Sequence, residues 1–188
     1  MKVVVLIGSP RKGGNTDCLA DAFTEGAVEA GAQVEKIYLD DHLIRPIAEV
    51  GDDGKTRVDL RADDDWRKIM QKVIDAQVLV LGAPVYWQGV PAQMKCFVDR
   101  WSAHYATDWL LDGLADKVWA VLCPYGDPTD DQSRWVVEPV KVWVGHFKGS
   151  YAGHVGVATS KKGEVAQMKE IMQQARDLGR SAVEAAQR

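Results

Sequence analysis

Residues Lys2–Thr16, KVVVLIGSPRKGGNT, join a nearly unbroken apolar run to a turn of small, basic and glycine residues, and DCLADAFTEGAVEA follows with helical spacing. A continuous run of β-branched and aliphatic residues suits a strand buried on both faces, and such strands belong to parallel sheets covered by helices. Strand, turn and helix make one unit, and the unit repeats. QVEKIYL from Gln33, QVLVLGAP from Gln77, KVWAVLC from Lys117 and SYAGHVGVA from Ser150 read as further strands. Helical patterns occupy Thr16–Ala30, Asp64–Ala76, Pro91 to about His104, about Asp130 to Phe147, and Glu164 to about Ala186. Pro91 suits a first helical turn, and Met94, Phe97, Val98 and Trp101 then recur at core spacing.

Five βα units with right-handed crossovers predict an α/β fold. The expected form is a flavodoxin-like three-layer sandwich with a five-stranded parallel sheet in the order 2-1-3-4-5 and helices on both faces. Length predicts one domain over residues 1–188. The second strand is mixed in polarity and belongs at an edge. Ile44–Asp65 reads as an excursion, with Gly51–Gly54 as a turn or hairpin tip.

With 46% hydrophobic residues, 27% charged residues and a net charge of -4, the chain reads as a globular protein. That charge argues against nucleic acid or an anionic membrane as partner and leaves a small molecule. The leading apolar run is too short for a secretory signal, and no other run approaches a membrane span. Cys18, Cys96 and Cys123 stand singly, which predicts a cytoplasmic protein with neither a disulfide framework nor a metal set. His42, His104, His146 and His154 show no ligand spacing.

In a doubly wound sheet, ligands sit beyond the carboxyl ends of the strands, where the strand order reverses. The Gly8–Thr16 loop falls there. It offers the side chains of Ser9, Asn15 and Thr16, the cations Arg11 and Lys12, and the backbone N–H groups of Gly13 and Gly14, all ahead of a helix N-terminus. That set suits a phosphate. Neither the Walker A pattern nor the dinucleotide G-x-G-x-x-G is present. A polar turn in which Asn15 or Thr16 only caps the helix is the alternative. A second turn, PVYWQG from Pro84, adds Tyr86 and Trp87 as a flat apolar wall and backbone groups from Val85 to Gly89 for the edge of a planar heterocycle. Alone, a Tyr-Trp pair serves equally as interface packing. Beside a phosphate loop it predicts a mononucleotide site.

GSPRKGGNT together with GAPVYWQGVPAQMKCFVDR resembles the NAD(P)H-dependent FMN reductase-like flavoproteins, in the branch that includes the iron-sulfur flavoproteins. The likeness covers about the first 105 residues well. It implies FMN as cofactor and NADPH or NADH as electron donor. Ser9, Arg11, Asn15 and Thr16 would hold the phosphate with the Gly14 N–H, and Pro84, Val85, Tyr86, Trp87, Gln88 and Gly89 would line the isoalloxazine. It also implies a homodimer or homotetramer. Two departures stand out. Where the iron-sulfur members carry clustered cysteines, this chain reads RPIAEVGDDG, and the loop after the fourth strand, PYGDPTDDQ, is acidic, with Tyr125 and Gly126 able to approach the flavin.

Ser102–Asp116, SAHYATDWLLDGLAD, reads as a long connection above the flavin edge, with Tyr105 and Trp109 in the substrate pocket; ordinary loop packing is the alternative. The expected function is an FMN-dependent NAD(P)H oxidoreductase that passes electrons to a quinone, a flavin or another small acceptor and needs no side-chain catalyst. Two alternatives stay open: a flavodoxin-like electron carrier without a nicotinamide site, and a flavin-dependent dehydrogenase of a pathway metabolite.

Overall fold

The computed structural model describes residues 1–48, 51–52, 57–58, 63–105 and 107–188. Strands β1 (Lys2–Ile7), β2 (Gln33–Tyr38), β3 (Val78–Gly82), β4 (Val118–Tyr125) and β5 (Ser150–Ala158) form one sheet in the order 2-1-3-4-5, each neighbouring pair parallel. The helices are α1 (Asn15–Glu29), α2 (Trp66–Asp75), α3 (Ala92–Asp99), α4 (Asp108–Leu114), α5 (Arg134–His146) and α6 (Lys169–Ala185). The expected order is the observed one.

The apolar strands explain the layers. Alternate side chains of a strand face opposite sides. Val3, Val5, Ile7, Val80 and Leu122 pack with Leu19 and Phe23 of α1 and Leu178 and Val183 of α6. Val4, Leu6, Leu79, Leu81 and Val121 pack on the other side with α2, α3 and α5 through Met70, Phe97 and Val140. β2, half buried, is an edge strand as expected. α1 and α6 approach closely at two glycines: a Cβ on Gly26 would run into the Arg176 carbonyl, and one on Gly179 into the Phe23 carbonyl.

Some boundaries differ from expectation for local reasons. The pattern from Pro91 is α-helical to Asp99 and finishes as a 3₁₀ turn, Arg100–Ala103. α5 starts at Arg134 rather than near Asp130, because Asp131 turns back to accept from the Ser133 N–H at 3.0 Å and hydroxyl at 2.6 Å. A 3₁₀ turn, Glu164–Gln167, precedes α6. Ser102–Asp116 is no long connection, since it contains α4, started by Thr107, whose hydroxyl accepts from the Leu110 N–H at 3.4 Å. Gly51–Asp52 pairs antiparallel with Arg57–Val58, so these two residues belong to a strand and not to a hairpin tip; the remainder of the expected tip, 53–54, lies outside the described residues.

A buried ion pair fastens the end of the excursion to the turn that follows α3. Arg100 Nη1 lies 2.6 Å from Asp64 Oδ2, with both side chains 1% exposed. Asp64 also accepts from the backbone N–H groups of Arg45 at 3.0 Å and Trp66 at 3.1 Å. The Arg100 guanidinium lies over the Trp66 ring at 5.0 Å, and Trp66 stacks on His104 at 5.0 Å.

Candidate cofactor site

Four segments, at the carboxyl ends of β1, β3, β4 and β5, surround a cleft of about 210 Å³ at the carboxyl edge of the sheet. From the first come Ser9, Arg11, Gly14, Asn15 and Thr16; from the second Pro84, Val85 and Tyr86; from the third Pro124, Tyr125 and Gly126; from the fourth Thr159, Ser160, Lys161 and Lys162.

The first loop is fixed from within. The Gly14 N–H donates to Arg11 O at 2.9 Å, and a Cβ on Gly14 would sit 2.7 Å from that oxygen, so this turn admits only glycine. The Gly13 N–H donates to Asp17 Oδ2 at 2.8 Å. The other Asp17 oxygen accepts from the Tyr38 hydroxyl at 2.6 Å and Lys36 Nζ at 2.9 Å. Burial alone would push the Asp17 carboxyl up, but the hydrogen bonds from Tyr38, Lys36 and Gly13 outweigh it and hold the group below its usual range. Asp17 therefore pins the loop to β2.

What this loop leaves unpaired is what a phosphate needs. The N–H groups of Asn15, Thr16 and Asp17, at the start of α1, have no acceptor among the described residues. Thr16 is buried at the cleft, and its hydroxyl has no partner among the described residues. Lys12 is committed to Asp41 at 2.7 Å, and that hydrogen bond raises its ammonium above the ordinary value. Arg11 makes no ion pair among the described residues. Of the two loop cations, Arg11 is the one free to meet an anion.

Asn15 is differently employed from the expectation. Its Nδ2 donates to Lys161 O at 2.8 Å and its Oδ1 accepts from the Val165 N–H at 3.2 Å. Its amide ties the first loop to the fourth, with one N–H left over.

In the second loop the Val85 N–H donates to Pro124 O at 3.0 Å. The Tyr86 N–H donates to Gly89 O at 2.9 Å and the Gly89 N–H to Tyr86 O at 3.2 Å, closing a turn whose central residues, Trp87 and Gln88, have φ of 48° and 62°. Side-chain-bearing residues enter this left-handed region infrequently. The turn carries Trp87 fully into solvent. Pro84, Val85 and Tyr86 thus line the cleft, whereas Trp87, Gln88 and Gly89 do not.

Tyr125 and Gly126 line the cleft as the sequence suggests; of the acidic residues beyond them, Asp131 adds to burial in raising the Tyr125 hydroxyl, while Asp127 and Asp130 have other partners. Asp127 accepts from the Thr129 N–H and hydroxyl, and Asp130 pairs with Arg134 through both oxygens at 2.6 and 2.7 Å. Among the described residues, no acidic side chain lines the cleft.

Sequence reasoning missed the fourth loop. The signal was available, since Thr159–Lys162 directly follows the last strand and the rule that placed the other loops at the ligand edge applies to it equally. Tyr105 and Trp109, expected in the substrate pocket, are elsewhere. α4 folds back on α2, so Trp109 packs edge-on to Trp66 at 6.1 Å with the Arg67 guanidinium 4.5 Å from its ring. Tyr105 stacks on His146 at 5.0 Å in a separate groove beside α5. Burial raises all three thiols above their ordinary value, that of Cys123 to about 12.

Unpaired helix N–H groups, a free arginine and two short aromatic-bearing walls define the class: a doubly wound protein that holds a phosphate-bearing planar cofactor. The sequence profile of NADPH-dependent FMN reductases matches residues 1–164, and the chain belongs to that family. FMN is its cofactor, and the residues present fit it. YwqN of Bacillus subtilis, provisionally named an NAD(P)H-dependent FMN-containing oxidoreductase, is 38% identical over 54% of this chain and 52% of its own length. The chain thus spans about half of that relative. An iron-sulfur flavoprotein of Archaeoglobus fulgidus is 29% identical over 98% of this chain and 80% of its own. Among solved structures, RosB superposes with a TM-score of 0.80 at 17% identity, covering 100% of this chain and 79% of RosB. An archaeal flavodoxin does so at 0.61 and 14%, covering 100% of both chains. At such identities the two structures speak for the fold.

Proposed function

We propose that the protein is an NAD(P)H-dependent FMN oxidoreductase that delivers electrons to a small acceptor such as a quinone or a free flavin. The observation that carries this reading is the meeting, in one cleft, of the acceptor-free start of α1 and Arg11 with the walls formed by Pro84–Tyr86 and Tyr125–Gly126. When bound, FMN supplies the redox chemistry, taking a hydride from a nicotinamide and releasing electrons to the acceptor.

The chain's own residues position and polarise. Ser9, Arg11, Thr16 and the N–H groups that open α1 hold the phosphate. Tyr86, 40% exposed, and Tyr125 line the cleft where they would contact the planar ring of a bound flavin. The Gly126 N–H, without an acceptor among the described residues, is available to the ring's polar edge. None of the four histidines is among the described residues that line the cleft.

The same reading expects a homodimer or larger homo-oligomer. Its support is an apolar groove of about 460 Å³ between the Arg100–Ala103 turn and α5, lined in part by Trp101, Tyr105, Val142 and Trp143. Light scattering should return at least twice the chain mass.

Anaerobic mixing with NADH and, separately, NADPH tests the function. At least one should abolish the visible flavin band, and a quinone should restore it. No loss with either would overturn the proposal in favour of an electron carrier or a metabolite dehydrogenase.

A further inference from the structure

We infer that Lys161 and Lys162, on the loop after β5, form a second phosphate-binding element of the cleft, serving a phosphate ester together with or beyond the helix start and Arg11. This inference rests on the FMN reading above. Both lysines line the cleft, both are exposed, and neither has an ion-pair partner among the described residues. With Arg11 they place three cations, none in an ion pair among the described residues, on a cleft that no acidic side chain of the described residues lines. Like charges gathered this way repel one another until an anion joins them, and a phosphate monoester carries about -1.5 to -2 at neutral pH.

The loop is built to stay where it is. The Glu164 carboxylate accepts from the Ser160 N–H at 3.2 Å, the Lys161 N–H at 2.5 Å and the Ser160 hydroxyl at 3.2 Å. The Thr159 N–H donates to Tyr125 O at 2.7 Å. Asn15 fastens Lys161 and Val165 to the start of α1, and at Gly163 a Cβ would stand 3.1 Å from Gly13 O. The Glu164 carboxylate is held by the Lys161 and Ser160 N–H groups, which with the charge of Lys161 keep it below its usual range, and it makes no ion pair with either lysine. Anchored at both ends to the first and third loops, the segment carries two flexible ammonium groups on a fixed base. Asn15 acts here as a positioning residue.

Two sources supply a phosphate at this site, the monoester of FMN or the phosphates of the nicotinamide dinucleotide, and one variant separates them. Lys161→Ala/Lys162→Ala changes exposed side chains, so the fold should persist with an unchanged melting temperature. Apo-protein is titrated with FMN and riboflavin by flavin fluorescence, and FMN-loaded protein with NADP⁺ and NAD⁺ by calorimetry. If FMN is the source, its affinity falls about tenfold while that of riboflavin holds, and the loss shrinks at high salt. If the dinucleotide is the source, FMN is unaffected and dinucleotide binding falls by about that factor. Lys161→Arg/Lys162→Arg should restore either affinity. Unchanged affinities in both titrations would overturn the inference. Wild-type protein that binds no FMN would instead overturn the function proposed above.

Discussion

Arg11 and Arg100 each stand in one of the two motifs that mark this chain, GSPRKGGNT and the KCFVDR that follows the Tyr-Trp turn, and they meet opposite fates. Arg100 is fully buried, 2.6 Å from Asp64, and roofed by Trp66. Arg11 is exposed at the cleft with no ion-pair partner among the described residues. The same guanidinium is structural where the protein supplies its counter-charge and is left to meet an anion where the described residues supply none. Membership of a motif does not distinguish the two, but burial and partners do.

The largest test of this contrast is to break the buried pair. Asp64→Ala removes the carboxylate 2.6 Å from the buried Arg100 guanidinium and should cost about 3–5 kcal/mol by denaturant unfolding. If the loss is below about 1 kcal/mol, the pair is not the anchor described here. Arg11→Ala should do the reverse: FMN affinity falls by about 10–100-fold, while apo-protein stability stays within about 0.5 kcal/mol. A destabilised apo-protein would make Arg11 a second structural arginine and erase the contrast.

Asp17→Asn falls between them. It weakens the clamp on Gly13, Lys36 and Tyr38, and should cost about 1–3 kcal/mol of stability and loosen FMN as well, since the loop it pins forms the site. Gln88→Gly should act weakly in the opposite sense. Relief of a left-handed conformation worth about 1–2 kcal/mol, less glycine's own entropic cost, leaves a net gain of about 1 kcal/mol or less in unfolding.

The smallest effect is a pH slope. Partial desolvation lowers His154, an exposed residue of β5, below its ordinary 6.5, against the opposing pull of Asp131. Above 6.5 the ring is neutral whether the chain is folded or not. As pH falls through 6.5 the unfolded chain takes up a proton that the folded chain resists, so stability declines until the folded value is passed. Unfolding midpoints of wild type and His154→Gln, compared between pH 7.5 and 5.5, should show a shallower fall in the variant. Parallel curves would assign the slope to other groups.

Much of the architecture was legible because its cause is local. The apolar runs of β1, β3 and β4 are buried on both faces, and that is how they read in sequence. The first loop was legible for the same reason, as its glycines, hydroxyls and cation fall within nine residues, Gly8–Thr16. The role of Asn15 was not, since its partners Lys161 and Val165 lie 146 and 150 residues away. The direction of Trp87 was hidden because nothing in YWQG announces two left-handed residues bearing side chains. α4 was missed through attention to its aromatics, although Thr107 ahead of DWLLDGL is an ordinary helix-start signal. The Arg100–Asp64 pair also escaped, because a charge 36 positions from its partner reads as solvated until the fold brings the two together.

The central claim is that the acceptor-free start of α1 and Arg11 grip the phosphate of FMN. Parallel calorimetric titrations of apo-protein with FMN and riboflavin test it most directly, in wild type and Arg11→Ala. The wild type should prefer FMN by at least about tenfold, and the variant should lose most of that preference while binding riboflavin as before. Equal affinity of the wild type for the two flavins would contradict it.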